Sequence, residues 1–200
     1  MPWSGDKSRA RIAFEVERAK KKSADYRLPA TITALVDNKK SDRQFRRLVQ
    51  NLLTLARRLE LARDYFGRRI DVSGPQYGLL MTVAQFQGAT GVSVGSVAQT
   101  MHVSSSFVTA ETGKLSDAGL LRKQTNPFDR RGALIKLTSL GRTKIDGLLA
   151  EIRAVNDLFF GLLTDHSFAA LCASAETLVG GSREAMQHIA RMEEMSDNLL

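Results

Sequence analysis

From Leu121 to Leu137 this chain abandons the three-to-four-residue hydrophobic period that dominates its length, and that change limits the folds open to it. Leu121, Lys123 and Thr125 alternate with Arg122, Gln124 and Asn126, and Ala133, Ile135 and Leu137 alternate with Leu134 and Lys136. Alternation marks strands with two unlike faces. Between the runs lies Asn126-Pro-Phe-Asp-Arg-Arg-Gly132, where proline, aspartate and glycine suit a turn. The pattern predicts a two-stranded hairpin with a basic tip, set in a mainly α chain.

Upstream, the helical period is strongest from Ser41. Phe45, Leu48, Val49, Leu52, Leu55, Ala56, Leu59, Ala62 and Phe66 recur at three- and four-residue steps, which predicts one long helix to about Arg69. Its apolar stripe needs a large partner: the C-terminal helices, or a second subunit. Ser73-Gly-Pro-Gln76 opens the next helix with a capping-box pattern and a proline in the first turn, and Tyr77, Leu80, Val83 and Ala84 form its inward face. Ser93 caps a short helix with Val94, Val97, Ala98 and Met101 inward. His102-Val103 makes a tight turn. Ser104-Ser105-Ser106 then starts a helix carrying Phe107, Val108, Glu111 and Leu115, stopped at Ala118-Gly119, where glycine takes a left-handed cap. Beyond the hairpin, Thr138 caps a helix with Leu140, Ile145, Leu148, Leu149, Ile152, Val155, Phe159 and Leu162. A last helix carries Phe168, Leu171, Cys172, Ala175, Leu178, Val179, Met186 and Ile189.

Composition narrows the function. The net charge of +8 is unevenly spread: residues 1–50 carry +7 and residues 151–200 carry −5. A basic front suggests a polyanionic partner. One cysteine excludes an intrachain disulfide and a Cys-based zinc cage, and His102, His166 and His188 are widely spaced, so no metal and no cofactor are expected. No apolar run approaches the ~18–20 residues of a membrane span, and the first residues lack a secretory apolar stretch. A cytoplasmic protein without a membrane partner is expected. Residues 1–40 read as a basic extension, broken at Leu28-Pro29.

Helix, tight turn, helix and hairpin in that order form a winged helix-turn-helix, whose second helix, Ser104 to Ala118, suits a major groove of roughly 12 Å. Ser104, Ser105 and Ser106 offer hydroxyls beside free N–H groups at a positive helix end, as phosphates require. Thr109 and Thr112 suit thymine methyls or phosphates, and Lys114 is the helix's one cation, with Glu111 facing inward or paired to it. Arg130 and Arg131 at the hairpin tip can reach a narrow minor groove. Asp129, two residues before Arg131, can orient its guanidinium.

Lys114-Leu-Ser-Asp-Ala-Gly-Leu-Leu-Arg122, Asp129-Arg130-Arg131 and Leu137-Thr-Ser-Leu-Gly-Arg142 together resemble the MarR (multiple antibiotic resistance regulator) family, over Ser73 to Gly147. Gln76-Tyr77, Ala98 and Val108-Thr109 also fit. The resemblance implies a homodimer held by its first and last helices, which binds a duplex DNA operator and is released as a repressor by a small aromatic or amphipathic ligand. On this reading residues 1–40 are the extension, 41–72 with 140–200 the helical dimerisation region, and 73–139 the winged helix-turn-helix. Where the family often has a basic residue after Val108-Thr109, this chain has Ala110-Glu111.

Competing readings are a winged-helix module that binds protein, and a redox-responsive regulator using Cys172. The cysteine's place on an apolar stripe predicts instead a buried, inert thiol. No nucleophile elbow, phosphate-cradling glycine loop or paired carboxylates point to an enzyme.

Overall fold

Local signals at helix ends position most of the chain, and the computed structural model, which describes residues 39–126 and 132–197, shows how. The order is α1 (Lys39–Arg69), α2 (Gly74–Phe86), β1 (Val92–Ser93), α3 (Val94–Met101), α4 (Ser105–Asp117), β2 (Leu121–Thr125), β3 (Ala133–Leu137), α5 (Ser139–Phe160) and α6 (Asp165–Asp197). The basic extension, apart from its last two residues at the start of α1, lies outside the described residues. The described residues form two compact units, which divide inside α1 between Leu59 and Glu60.

In the first unit, Leu48, Val49 and Leu52 of the expected stripe on α1 are exposed, and so is Leu53 beside them.

The second unit holds the core. Ser73 caps α2 with a complete capping box: its hydroxyl accepts from the Gln76 N–H at 3.3 Å, and its own N–H donates to Gln76 Oε1 at 2.9 Å. Tyr77, Leu80 and Val83 point inward as expected, together with Leu79. Ser93 caps α3 and Ser104 caps α4, each accepting from the N–H three residues on. Gly119 ends α4 with φ of 72°, a conformation that favours glycine. Leu79, Leu80, Val83, Val97, Val108, Leu115 and Ile135 are almost wholly enclosed, and burying side chains of this size stabilises by roughly 1.5–3 kcal/mol each.

β2 and β3 form the expected antiparallel hairpin, with Leu121 opposite Leu137 and Lys123 opposite Ile135. The sheet has a third strand that the sequence pattern did not predict: β1 pairs with β3 through Val92–Ile135 and Ser93–Leu134, giving the order β1-β3-β2. Two residues are too few to show alternation.

Thr138 joins three elements at the end of β3. Its N–H donates to the Leu120 carbonyl at 3.1 Å and its hydroxyl donates to the Gly119 carbonyl at 2.6 Å. The same hydroxyl accepts from the Gly141 N–H at 3.0 Å, capping α5. Further along, Arg69 donates to Glu151 at 2.8 Å and the Tyr65 hydroxyl donates to it at 2.9 Å. These bonds draw the end of α1 to α5 and hold the Glu151 carboxyl below its ordinary range, Arg69 contributing most.

The terminal helices behave differently. α5 buries Ile145 and Leu148, but Leu149 and Leu158 are exposed, as is Leu162 in the turn that follows, and α6 buries none of its residues. The two helices meet at 93°, and no single helix among the described residues is long and apolar enough to cross a membrane. Cys172 is exposed. This corrects the expectation of a shielded thiol, because an apolar stripe buries a side chain only where another element covers it.

The α4–α5 junction generates a stability prediction. A Cβ at Gly141 would collide with the Leu120 carbonyl oxygen and lie 3.2 Å from Leu137 Cδ2. Alanine is otherwise the better helix former by ~1 kcal/mol. Gly141→Ala should nevertheless destabilise the protein by about 2 kcal/mol, read as a lower urea midpoint at unchanged slope.

Candidate nucleic-acid interface

The turn between α3 and α4 is set by one unusual backbone conformation. His102 has φ 53° and ψ 41°, the left-handed region, and its N–H reaches the Ala98 and Gln99 carbonyls. Histidine is among the residues that tolerate this region best outside glycine. The next N–H, of Val103, bonds to the Ala98 carbonyl at 3.1 Å, so the chain reverses within three residues and α4 starts at Ser105.

The serines at the start of α4 divide their tasks. Ser104 is the cap: its hydroxyl accepts from the Phe107 N–H at 3.2 Å and lies 2.9 Å from the Ser106 hydroxyl. Ser105 and Ser106 are exposed in the first turn, where backbone N–H groups have no helical partner. Thr109 is exposed too, its hydroxyl donating to the Ser105 carbonyl at 2.8 Å, which leaves its methyl free to face outward. Ala110 is exposed, and a Cβ at Gly113 would meet nothing within 4 Å. The outward face of α4 is therefore built of small side chains, which let a helix approach a groove closely. Sequence reasoning passed over Ala110 and Gly113, although their spacing from Ser106 and Thr109 carries that signal.

Thr112 does not belong to this face. It is fully buried, and its hydroxyl has no hydrogen-bond partner among the described residues. The expectation that it touches bases or phosphates is corrected: Val108, Thr112 and Leu115 are spaced by four and three residues and share the inward stripe.

Glu111 and Lys114 pair as expected. Glu111 Oε1 accepts from Lys114 Nζ at 2.7 Å, and Oε2 accepts from Gln76 Nε2 at 2.8 Å. Glu111 is 13% exposed and Lys114 63%. The Lys114 ammonium, and after it the Gln76 amide, hold the Glu111 carboxyl below its usual range. A depressed carboxyl stabilises the fold above its unfolded pKa, and that contribution is lost as the pH falls through its folded value.

The wing residues Asp129, Arg130 and Arg131 lie outside the described residues. The strands that carry them are anchored, with Arg122 and Lys123 exposed on β2. Among the described residues, no three His, Cys, Asp or Glu side chains converge as a metal site would require.

Two hollows border this region. One of about 430 Å³ is lined by Arg63 of α1, Pro75, Gly78 and Thr82 of α2, Thr100 and Met101 of α3, and Val103 and Phe107. The Arg63 guanidinium lies over Gly78, where an added side chain would collide with it. The other, about 840 Å³ and open, runs between α3, Ser105 and the Val179–Ala190 face of α6.

A helix pair with a tight turn, backed by a three-stranded sheet whose hairpin follows the second helix, defines a winged helix-turn-helix domain. Residues 70–132 match the model of the MarR family. No curated protein matches the chain. Among solved structures, a MarR family transcription regulator has a TM-score of 0.60 at 19% identity, over 74% of this chain and 96% of its own. CouR from Rhodococcus jostii RHA1, bound to p-coumaroyl-CoA, has a TM-score of 0.57 at 23% identity, over 65% of this chain and 90% of its own. MepR from S. aureus, in complex with DNA, has a TM-score of 0.57 at 13% identity, over 66% and 96%. At these identities the likeness is one of fold.

Thr112 yields a test of the inward placement. A buried hydroxyl without a partner costs ~1–3 kcal/mol. Thr112→Val should raise stability by about 1 kcal/mol in chemical denaturation and leave DNA affinity as it was. A drop in DNA affinity with stability unchanged would return Thr112 to the outward face.

Proposed function

We propose that this chain is a sequence-specific DNA-binding transcriptional regulator that acts as a homodimer, and that it is a repressor released by a small ligand. The observation that carries the reading is the outward face of α4: small, hydroxyl-rich, and held rigidly between a capped turn and the sheet. Ser105, Ser106 and Thr109 meet phosphates and base edges in the major groove, with Ser104 as the cap that aligns them and Lys114 at the far end of the same helix. Arg130 and Arg131 reach the minor groove, oriented by Asp129. MepR, a protein of this fold, is seen in complex with DNA.

Residues 73–139 are the DNA-binding part, and 41–72 with 140–200 the dimerisation region. α6 supports this division, since Phe168, Leu171, Leu178, Val179 and Ile189 are exposed along it. A 33-residue helix with no buried residue gains little from its own chain, and a second copy supplies the missing apolar surface. Sedimentation of the parent at micromolar concentration should give a dimer, and Leu171→Asp with Leu178→Asp a folded monomer. A monomeric parent sinks the proposal.

The ligand is small and amphipathic and occupies the hollow between Arg63, Gly78, Thr82 and Met101. It is bounded by α1, α2, α3 and the start of α4, and not by α5, so occupancy bears directly on the recognition helix. CouR, of the same fold, is seen with p-coumaroyl-CoA. The exposure of Cys172 favours one second reading, release by oxidation. In a dimer through α6 the thiol is covered, and Cys172→Ser should leave any response to peroxide as in the parent.

Arg131→Ala should weaken operator binding more than Arg122→Ala. A tip arginine in a narrow groove meets several phosphates and base edges at once, whereas a strand arginine neutralises at most one phosphate, worth about 1 in the slope of log K against log salt. The measurement is a titration of operator and scrambled duplex at several salt concentrations. Operator binding by Arg131→Ala equal to the parent's removes the wing from the interface.

A further inference from the structure

We propose that Glu111 is a specificity-determining residue of the DNA interface: by bridging Gln76 and Lys114 it keeps the one cation of α4 from indiscriminate phosphate contact. The inference rests on the DNA-binding reading above and assigns a role to the acidic residue that stands out in that helix.

An acidic side chain facing a polyanion would only repel it, but Glu111 does not face outward. It is 13% exposed, and both carboxylate oxygens are committed, one to Lys114 Nζ at 2.7 Å and the other to Gln76 Nε2 at 2.8 Å. Gln76 is itself fixed, because its Oε1 accepts from the Ser73 N–H at 2.9 Å within the capping box of α2. The chain Ser73–Gln76–Glu111–Lys114 thus runs from the first turn of α2 to the exposed surface of α4. The exposed Ser73 and half-buried Gln76 hold the carboxylate in place through these bonds, and the carboxylate restrains the ammonium.

Lys114 is 63% exposed. Untethered, a side chain of that length and mobility would find a phosphate on any duplex, and each such contact strengthens binding without regard to sequence. Paired with a fixed carboxylate, it adds nearly no net charge to the surface and reaches only what lies along one direction. The pair therefore lowers affinity mainly for non-target duplexes, which are held by such contacts alone, and spares contacts that depend on register. Specificity is a ratio of affinities, and lowering the competitor's raises it. The charge count of α4 agrees with this: Glu111 and Asp117 outnumber Lys114, so the helix contributes discrimination, and cations elsewhere contribute attraction.

Glu111→Gln keeps the size of the side chain and an acceptor for Gln76 while releasing Lys114. Two duplexes serve as probes: one selected from random sequence by the parent protein, and a scrambled duplex of the same composition. Parent, Glu111→Gln, Lys114→Gln and the double variant are titrated with both at several salt concentrations. Glu111→Gln should steepen the scrambled-duplex slope of log K against log salt by about 1, so that its loss of affinity between 50 and 200 mM salt grows roughly fourfold. Its preference for the selected duplex should fall, and the double variant should return to the parental slope. A scrambled slope unmoved by Glu111→Gln overturns the proposal. So does a variant with a lower thermal midpoint and weaker selected-duplex binding but no steeper slope, which is the mark of a purely structural carboxylate. If Glu111→Gln does not fold, Lys114→Gln decides: a loss of a full unit in the scrambled slope means the ammonium was already free and overturns the inference, and a loss well below one supports it. A parent that binds neither duplex overturns the DNA-binding reading and this inference together, whereas a binding parent with an indifferent variant overturns this inference alone.

Discussion

The second unit depends on Thr138. One residue closes β3, accepts the helix-start N–H of Gly141, and donates to the carbonyl at the end of the preceding helical turn. α4 is thereby pinned at its C-terminal end to α5, the element that follows the hairpin. Its other end is pinned by the Ser104 cap and the left-handed His102. On the proposed reading, α4 enters a groove as a rigid body and needs both ends fixed, because its outward face carries no large side chains to brace it. The missing Cβ at Gly141 is part of the same constraint, since the Leu120 carbonyl occupies the space a side chain would fill.

A physical contrast runs through the chain. Between Phe66 and Leu148 the buried apolar side chains form one core, whereas α6 buries none. Isolated helices are marginal in water even when long, and their stability in proteins comes from covering an amphipathic face. A helix of this length, with aliphatic residues at three- and four-residue steps, is therefore unfinished as a single chain. The same holds for the exposed aliphatic residues of α1 in the first unit. In the proposed dimer, folding of the terminal helices is coupled to assembly, so stability depends on concentration.

Much of this was legible in the residues because the signals are local. Ser73 and Gln76 announced a capping box, Gly119 a left-handed stop, and the alternation after Leu121 a hairpin; each depends on neighbours within a few positions. Errors arose where the deciding fact was distant. β1 is a strand only because β3 lies beside it. Cys172 was expected to be buried because its stripe is apolar, yet a stripe does not say what covers it. Thr112 is the exception: its step from Val108 and to Leu115 places it inward by helical periodicity alone, and its hydroxyl drew it into the wrong face. The wing arginines were read from chemistry, and their role rests on that chemistry still.

The charge distribution then takes a definite form. α4 is not a basic element: its one lysine is paired, its carboxylates outnumber it, and its outward residues are serine, threonine, alanine and glycine. On the proposed reading, attraction to a polyanion comes from around it: from Arg122 and Lys123 on β2, from Arg130 and Arg131, and from the basic residues that precede the long helix in sequence. Such a division separates two demands that conflict on a single surface. Long-range charge sets how often and how tightly any duplex is held, and weakens with salt. Close contact by small, hydroxyl-bearing side chains depends on the shape and edge pattern of particular base pairs. A helix with free cations on its outward face would satisfy the first demand at the expense of the second.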